Sequence, residues 1–96
     1  MRFGTTDAVD GWEQVCAAAP ANARVAWEKL TDDPQARSER QHPLLGSLAI
    51  REVNGRAMEQ WQHEVTAGGR LWFCIDDDRR IVWLVDAMVG HPKTTE

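Results

Sequence analysis

Cysteine is scarce in this chain, with Cys16 and Cys74 the only two. That number excludes a disulfide-stapled secreted scaffold and a four-thiolate zinc site. One long-range disulfide stays open, and two reduced, partly buried thiols are the preferred reading. No apolar run approaches the ~20 residues needed to span a bilayer. The opening residues, MRFGTTDAVDG, lack the apolar centre of a secretory leader. The expectation is a soluble, cytoplasmic protein. A phosphate loop, a nucleophile elbow and a dinucleotide glycine fingerprint are also missing. His42, His63 and His91 show no metal-ligand spacing, so neither a metal nor a cofactor is expected. Basic residues are outnumbered 11 to 15, giving a net charge of −4. Simple nucleic-acid binders carry the opposite sign.

What is present is ordinary globular composition, 43% apolar and 27% charged over 96 residues, enough for one domain spanning 1–96. The charge is unevenly spread. Residues 1–33 and 57–96 each carry −3, whereas 34–56 carry +2 through Arg37, Arg40, Arg51 and Arg56 against Glu39 and Glu52. A solvated basic loop is the plainer reading of that island, and a phosphate-facing segment the sharper one.

Residues 1–5 read as a short edge strand. Thr6 or Asp7 is placed to cap a helix whose apolar stripe is Val9, Trp12, Val15, Cys16 and Ala19. Gly11 costs that helix up to ~1 kcal/mol relative to alanine. Pro20 opens a second helix, with Ala23, Ala26, Trp27 and Leu30 as its stripe and Asp32-Asp33-Pro34 as its end. Residues 33–46 form a polar, basic connection. From Leu48 the period becomes two. Asn54-Gly55 marks a tight hairpin turn, 58–65 a strand, 66–69 a turn, 70–75 a strand, 76–80 a turn and 81–88 a final strand covered on both faces. Helices grouped before strands indicate an α+β domain.

Alternation divides the strands into two faces. Leu48, Ile50, Trp61, His63, Val65, Leu71, Phe73 and Ile75 should meet Trp12, Trp27 and Leu30. Arg51, Gln60, Gln62, Glu64, Arg70, Trp72 and Cys74 form a second, polar face left to solvent. An exposed Trp72 beside arginines suits stacking on a base or packing a partner. The constellation that carries chemistry is Glu64, Arg70 and His91: carboxylate as base, guanidinium on phosphate, imidazole as acid, with Lys93 nearby. The plainer reading makes Glu64–Arg70 a cross-strand ion pair, His63 a hydrogen-bonded core histidine and His42 a loop residue.

The run GGRLWFCIDDDRRIVWLVDAMVGHPK resembles the carboxy-terminal half of RelE/ParE-superfamily toxins. LLGSLAIREVNG is similar to their Leu-x-Gly segment and following strand, and AVDGWEQVC with ARVAWEKLTDDP to their helical hairpin. The resemblance implies a RelE-like fold, with the hairpin on one face of a mainly antiparallel four-stranded sheet. It implies the toxin of a type II toxin–antitoxin system that cleaves mRNA, commonly on the ribosome and without a metal. The RNA 2′-OH attacks the adjacent phosphate while charge is stabilised around it. By position, Arg70 would hold the scissile phosphate and Arg51 would add a basic contact. His91 and Lys93 would supply the tail, and Glu64 would be the base. Trp72 is a stacking candidate without a matching family position. The implied partners are a cognate antitoxin, in a toxin–antitoxin hetero-oligomer, together with mRNA and the ribosome; no membrane is involved. The chain departs from the family in its acidity, in Pro92 where many members carry Arg, and in lacking tyrosine. Those departures fit the alternative of a non-enzymatic member, either a ParE-like gyrase inhibitor or a catalytically silent relative.

Overall fold

The computed structural model describes residues 1–90. Two helices follow the short strand β1 (Arg2–Phe3): α1 (Thr6–Ala18) and α2 (Pro20–Asp32), joined through Ala19 alone. The helix start falls one residue earlier than the sequence suggests. The Thr5 hydroxyl accepts the Ala8 N–H at 3.0 Å and donates to the Val85 carbonyl at 2.7 Å, so a single side chain caps α1 and ties it to the sheet. Pro20 stands in the first turn of α2, as expected.

Five strands complete the domain: β2 (Gln41–Pro43), β3 (Ile50–Val53), β4 (Arg56–Glu64), β5 (Arg70–Asp76) and β6 (Ile81–Met88). The sheet runs β1-β6-β5-β4-β2, with β3 paired to β4. It is antiparallel except for β1, which lies parallel to β6. The architecture is therefore two helices on a mostly antiparallel open sheet of six strands, not four. The two additions are short. β1 comes from the expected edge segment, and β2 falls inside the expected 33–46 connection, so His42 is a strand residue. Asn54 and Gly55 both have positive φ, at 52° and 79°, as a two-residue β3–β4 turn requires.

The helix-facing layer buries Val15, Ala26 and Leu30 against Trp61, Leu71, Phe73 and Leu84. Burying each of the larger side chains is worth roughly 1.5–3 kcal/mol. Strict alternation along β6 would turn Asp86, two residues after Leu84, to the helix side; an extra residue prevents it. Trp72 pairs with Asp86 and Phe73 with Leu84, leaving Val85 as a bulge. That one-residue phase change keeps Ala87 on the helix side.

The second face is not open. Trp72, Cys74 and Val85 are buried there with Leu44 and Val53, flanked by Leu48, Met58, Trp83 and Met88. The cause is a change of partner along β4. Its 61–63 segment pairs with β2 and its 56–59 segment with β3. Gln60 sits between them, 2% exposed. Its backbone N–H donates to Ala49 and its carbonyl accepts from Leu44, both at 2.8 Å. Its side chain donates to the Leu48 carbonyl at 2.8 Å and accepts from Arg51 at 3.4 Å. The 44–53 segment is thereby held across the face, and Val53 reaches Val85 and the neighbourhood of Gly4. Two assignments change with it: Leu48 joins this second cluster, and Ile50 is 61% exposed. Cys16 and Cys74 are free thiols in different clusters.

Gly11 is what lets α1 approach β6. A Cβ at this position would stand 2.1 Å from the Ala87 carbonyl oxygen. Gly11→Ala should therefore destabilise the domain by about 2 kcal/mol or more, despite a helix-propensity gain of up to ~1 kcal/mol. Urea denaturation of the purified variant measures the sign; a more stable Gly11→Ala would refute the close approach.

Candidate functional site

Glu64 and Arg70 are directly opposite in the β4–β5 ladder, with 3.9 Å between Arg70 Nη1 and the carboxylate. This is the cross-strand ion pair of the plainer reading. Arg70 is 6% exposed. Its Nη1 donates to the carbonyls of Thr66, Ala67 and Gly69 at 3.0–3.1 Å, clamping the turn between the two strands. Thr66 Oγ1 closes the same turn by accepting from the Gly69 N–H at 2.8 Å. Arg70 Nε is buried without a partner among the described residues. Arg70 also pairs with Met88, so the end of β6 lies beside the Glu64–Arg70 pair. His91 and Lys93 lie outside the described residues.

The expected exposure of Trp72 is corrected. It is 6% exposed, and its Nε1 donates to Gln62 at 2.9 Å inside the second cluster. Arg51 is half-buried, held against Gln60. Burial pushes the Cys74 thiol up to about 11, against a smaller opposing pull from Arg51, so this sulfur is not a nucleophile at neutral pH. The four arginines of the basic island do not form one patch. Arg37 lies over the Trp61 ring at 5.2 Å, Arg56 pairs with Asp76 and Asp78, Arg51 meets Gln60, and Arg40 stands at a cleft on the helix side.

That cleft, about 520 Å³, opens between α2, β2 and the end of β4. Its wall includes His63 and Gln41, and the charged residues Lys29, Arg40, Asp33 and Glu64 stand around it. Gln41 Nε2 donates to the carbonyls of Asp33, Pro34 and Ala36 at 2.9–3.2 Å. Its Oε1 must therefore be the group facing His63 Nδ1 at 2.8 Å. Since Oε1 only accepts, Nδ1 carries the proton and Nε2 holds the lone pair of the neutral ring. Burial, then the positive charges of Lys29 and Arg40, lower the imidazole to about 4, against a weaker opposing pull from Glu64. The sequence placed His63 on the apolar face as a hydrogen-bonded core residue, as found. Its partner was not legible, because Gln41 meets it only through the β2–β4 register.

No protein-family description, no curated protein and no solved structure matches this chain. Among the described residues no helix is long and apolar enough to cross a membrane, and no group of three or more His, Cys, Asp or Glu is placed to hold a metal ion.

The His63 environment sets a pH dependence. The unfolded histidine titrates near 6.5 and the native one near 4. Between those values the unfolded chain binds the proton and the native chain does not, so stability falls as pH drops through this window. The loss should approach about 3 kcal/mol at pH 4 and be absent above pH 7. Chemical denaturation from pH 7.5 to 4 checks this against His63→Gln, which should show a shallower acid slope; equal slopes would refute the assignment.

Proposed function

We propose that this chain is the toxin of a type II toxin–antitoxin pair and acts as a RelE-like, metal-independent mRNA endonuclease on the ribosome. The order of elements supports this reading: a strand, a helical hairpin, then an antiparallel meander whose last two strands are the run that resembles the family. One juxtaposition carries it: Glu64, Arg70 and the end of β6 meet at one end of the sheet. In the proposed reaction Glu64 removes the proton of the RNA 2′-OH. The 2′ oxygen bonds to phosphorus and the P–O5′ bond breaks, leaving a 2′,3′-cyclic phosphate. The leaving 5′ oxygen takes a proton, the role proposed for His91. Arg70 and Lys93 offset the phosphorane charge.

A second reading, a non-enzymatic member acting on gyrase or on nothing, is favoured by a specific observation. The Arg70 guanidinium is already engaged with three turn carbonyls and is buried. Substrate would have to compete with those contacts.

Induced expression followed by mapping of transcript 5′ ends separates the readings. Discrete codon-linked cuts are expected, falling about 10²-fold or more in Glu64→Gln, an isosteric change whose effect on the Arg70 pair is checked by thermal denaturation. Arg70→Ala should abolish them, with circular dichroism checking that the turn survives. DNA damage without cuts would favour gyrase inhibition, and growth without either would favour a silent relative.

A further inference from the structure

We propose that His42 and Gln62 together hold a ribose 2′-hydroxyl of RNA, on a nucleotide beside the one attacked. The inference rests on the RNA-directed reading of the Glu64 site and adds two specificity contacts to it. Successive residues of β2 face opposite sides of the sheet. Gln41 turns to His63 on the helix side, so His42 turns to the second face, as Leu44 does two residues on. His42 stands directly opposite Gln62 in the β2–β4 ladder, and Gln62 opposite Trp72 in the β4–β5 ladder. Directly opposed residues have Cβ atoms about 4.5–5.5 Å apart, and diagonal ones, as His42 and Glu64 are, lie about 7–8 Å apart. The pair therefore adjoins the proposed base.

Hydrogen bonds within the sheet fix what each side chain offers. His42 Nδ1 lies 3.0 Å from the Pro43 carbonyl, which only accepts. Nδ1 therefore carries the proton, and Nε2 holds the lone pair of the neutral ring. Gln62 Oε1 accepts from Trp72 Nε1 at 2.9 Å, which leaves its amide N–H donors without a partner among the described residues. Gln62 is only 6% exposed, yet these donors are not sealed in; the described buried side-chain atoms that lack a partner are Arg70 Nε and Trp83 Nε1. A fixed N–H donor thus stands beside a fixed lone pair.

That combination selects its ligand. A cation would meet the Gln62 N–H groups. An anion would meet the His42 lone pair, with Asp86 on the same face opposite Trp72 and no described cation within 4.0 Å of it. A hydroxyl satisfies both partners, donating to His42 Nε2 and accepting from Gln62 Nε2. Along a nucleic-acid strand that group is the 2′-OH, which RNA has and DNA lacks.

The probes are three uridine trinucleotides, with ribose, deoxyribose and 2′-O-methylribose, titrated separately into the full chain at millimolar concentration. NMR follows the His42 ring and the Gln62 side-chain amide. The ribose form should shift both signals saturably, and the other two should bind roughly tenfold more weakly, the scale of one or two hydrogen bonds. His42→Ala should erase that preference. So should Gln62→Glu, whose carboxylate still accepts from Trp72, with circular dichroism confirming that each variant is folded. Equal binding of the three probes by the parent chain overturns the inference, as does a ribose preference that survives in both variants. Transcript cuts alongside equal binding would end this inference and leave the nuclease reading standing. A ribose preference without cuts would uphold it and count against the nuclease.

Discussion

Four hydrogen bonds at Gln60 determine what both faces of this sheet can do. They satisfy the backbone and side-chain amide of a residue that is almost wholly buried; three go to the excursion between β2 and β3, at Leu44, Leu48 and Ala49, and the fourth to Arg51 in β3. A typical hydrogen bond nets only about 1 kcal/mol, but leaving one of these buried groups unpaired would cost about 1–3 kcal/mol. The penalty for leaving the arrangement therefore exceeds the gain from entering it. β4 is thereby fixed as a strand with two successive partners on one edge, and the 44–53 segment lies over the second face rather than extending the sheet.

Covering that face alters the chemistry of everything on it. Trp72 becomes a packed indole with a satisfied N–H, Cys74 a thiol with a raised pKa, and Arg51 a brace for Gln60. Arg70, near the same end, is drawn into the 66–69 turn, where one guanidinium nitrogen serves three carbonyls. A charge so placed is costly to uncover, because its desolvation has already been offset by local bonds. The polar character that pointed to a solvent-facing surface is instead an internal hydrogen-bond network: Gln60, Gln62 and Trp72 bond within the layer.

Most elements set by local signals were legible. Pro20, Asn54-Gly55 and the alternation of 70–75 gave the helix start, the hairpin and the strand directly. The α+β class followed from element order. The helix-side core was readable because Trp61, Val65, Leu71 and Phe73 alternate cleanly. Three things were not readable, all for one physical reason: they depend on contacts between segments far apart in the chain. β2 is three residues long and exists only because β4 offers it an edge. Ile50 alternates like a core residue, yet its strand lies on the excursion. The His63–Gln41 pair needs the register of β2 against β4. Of the site, the Glu64–Arg70 pairing followed from strand alternation and turn length. The depth of Arg70 did not, because nothing in its immediate sequence says that its side chain folds back onto the turn.

Charge decides how an RNA-directed role would have to operate in such a molecule. Affinity for free RNA grows with the number of phosphates neutralised. The described arginines of the basic island face four different surroundings, and Arg56 is already matched by two aspartates. A chain of net charge −4 built this way cannot gather RNA by long-range attraction. Cleavage would require that the substrate be delivered and oriented by another body, with this protein contributing short-range contacts beside Glu64.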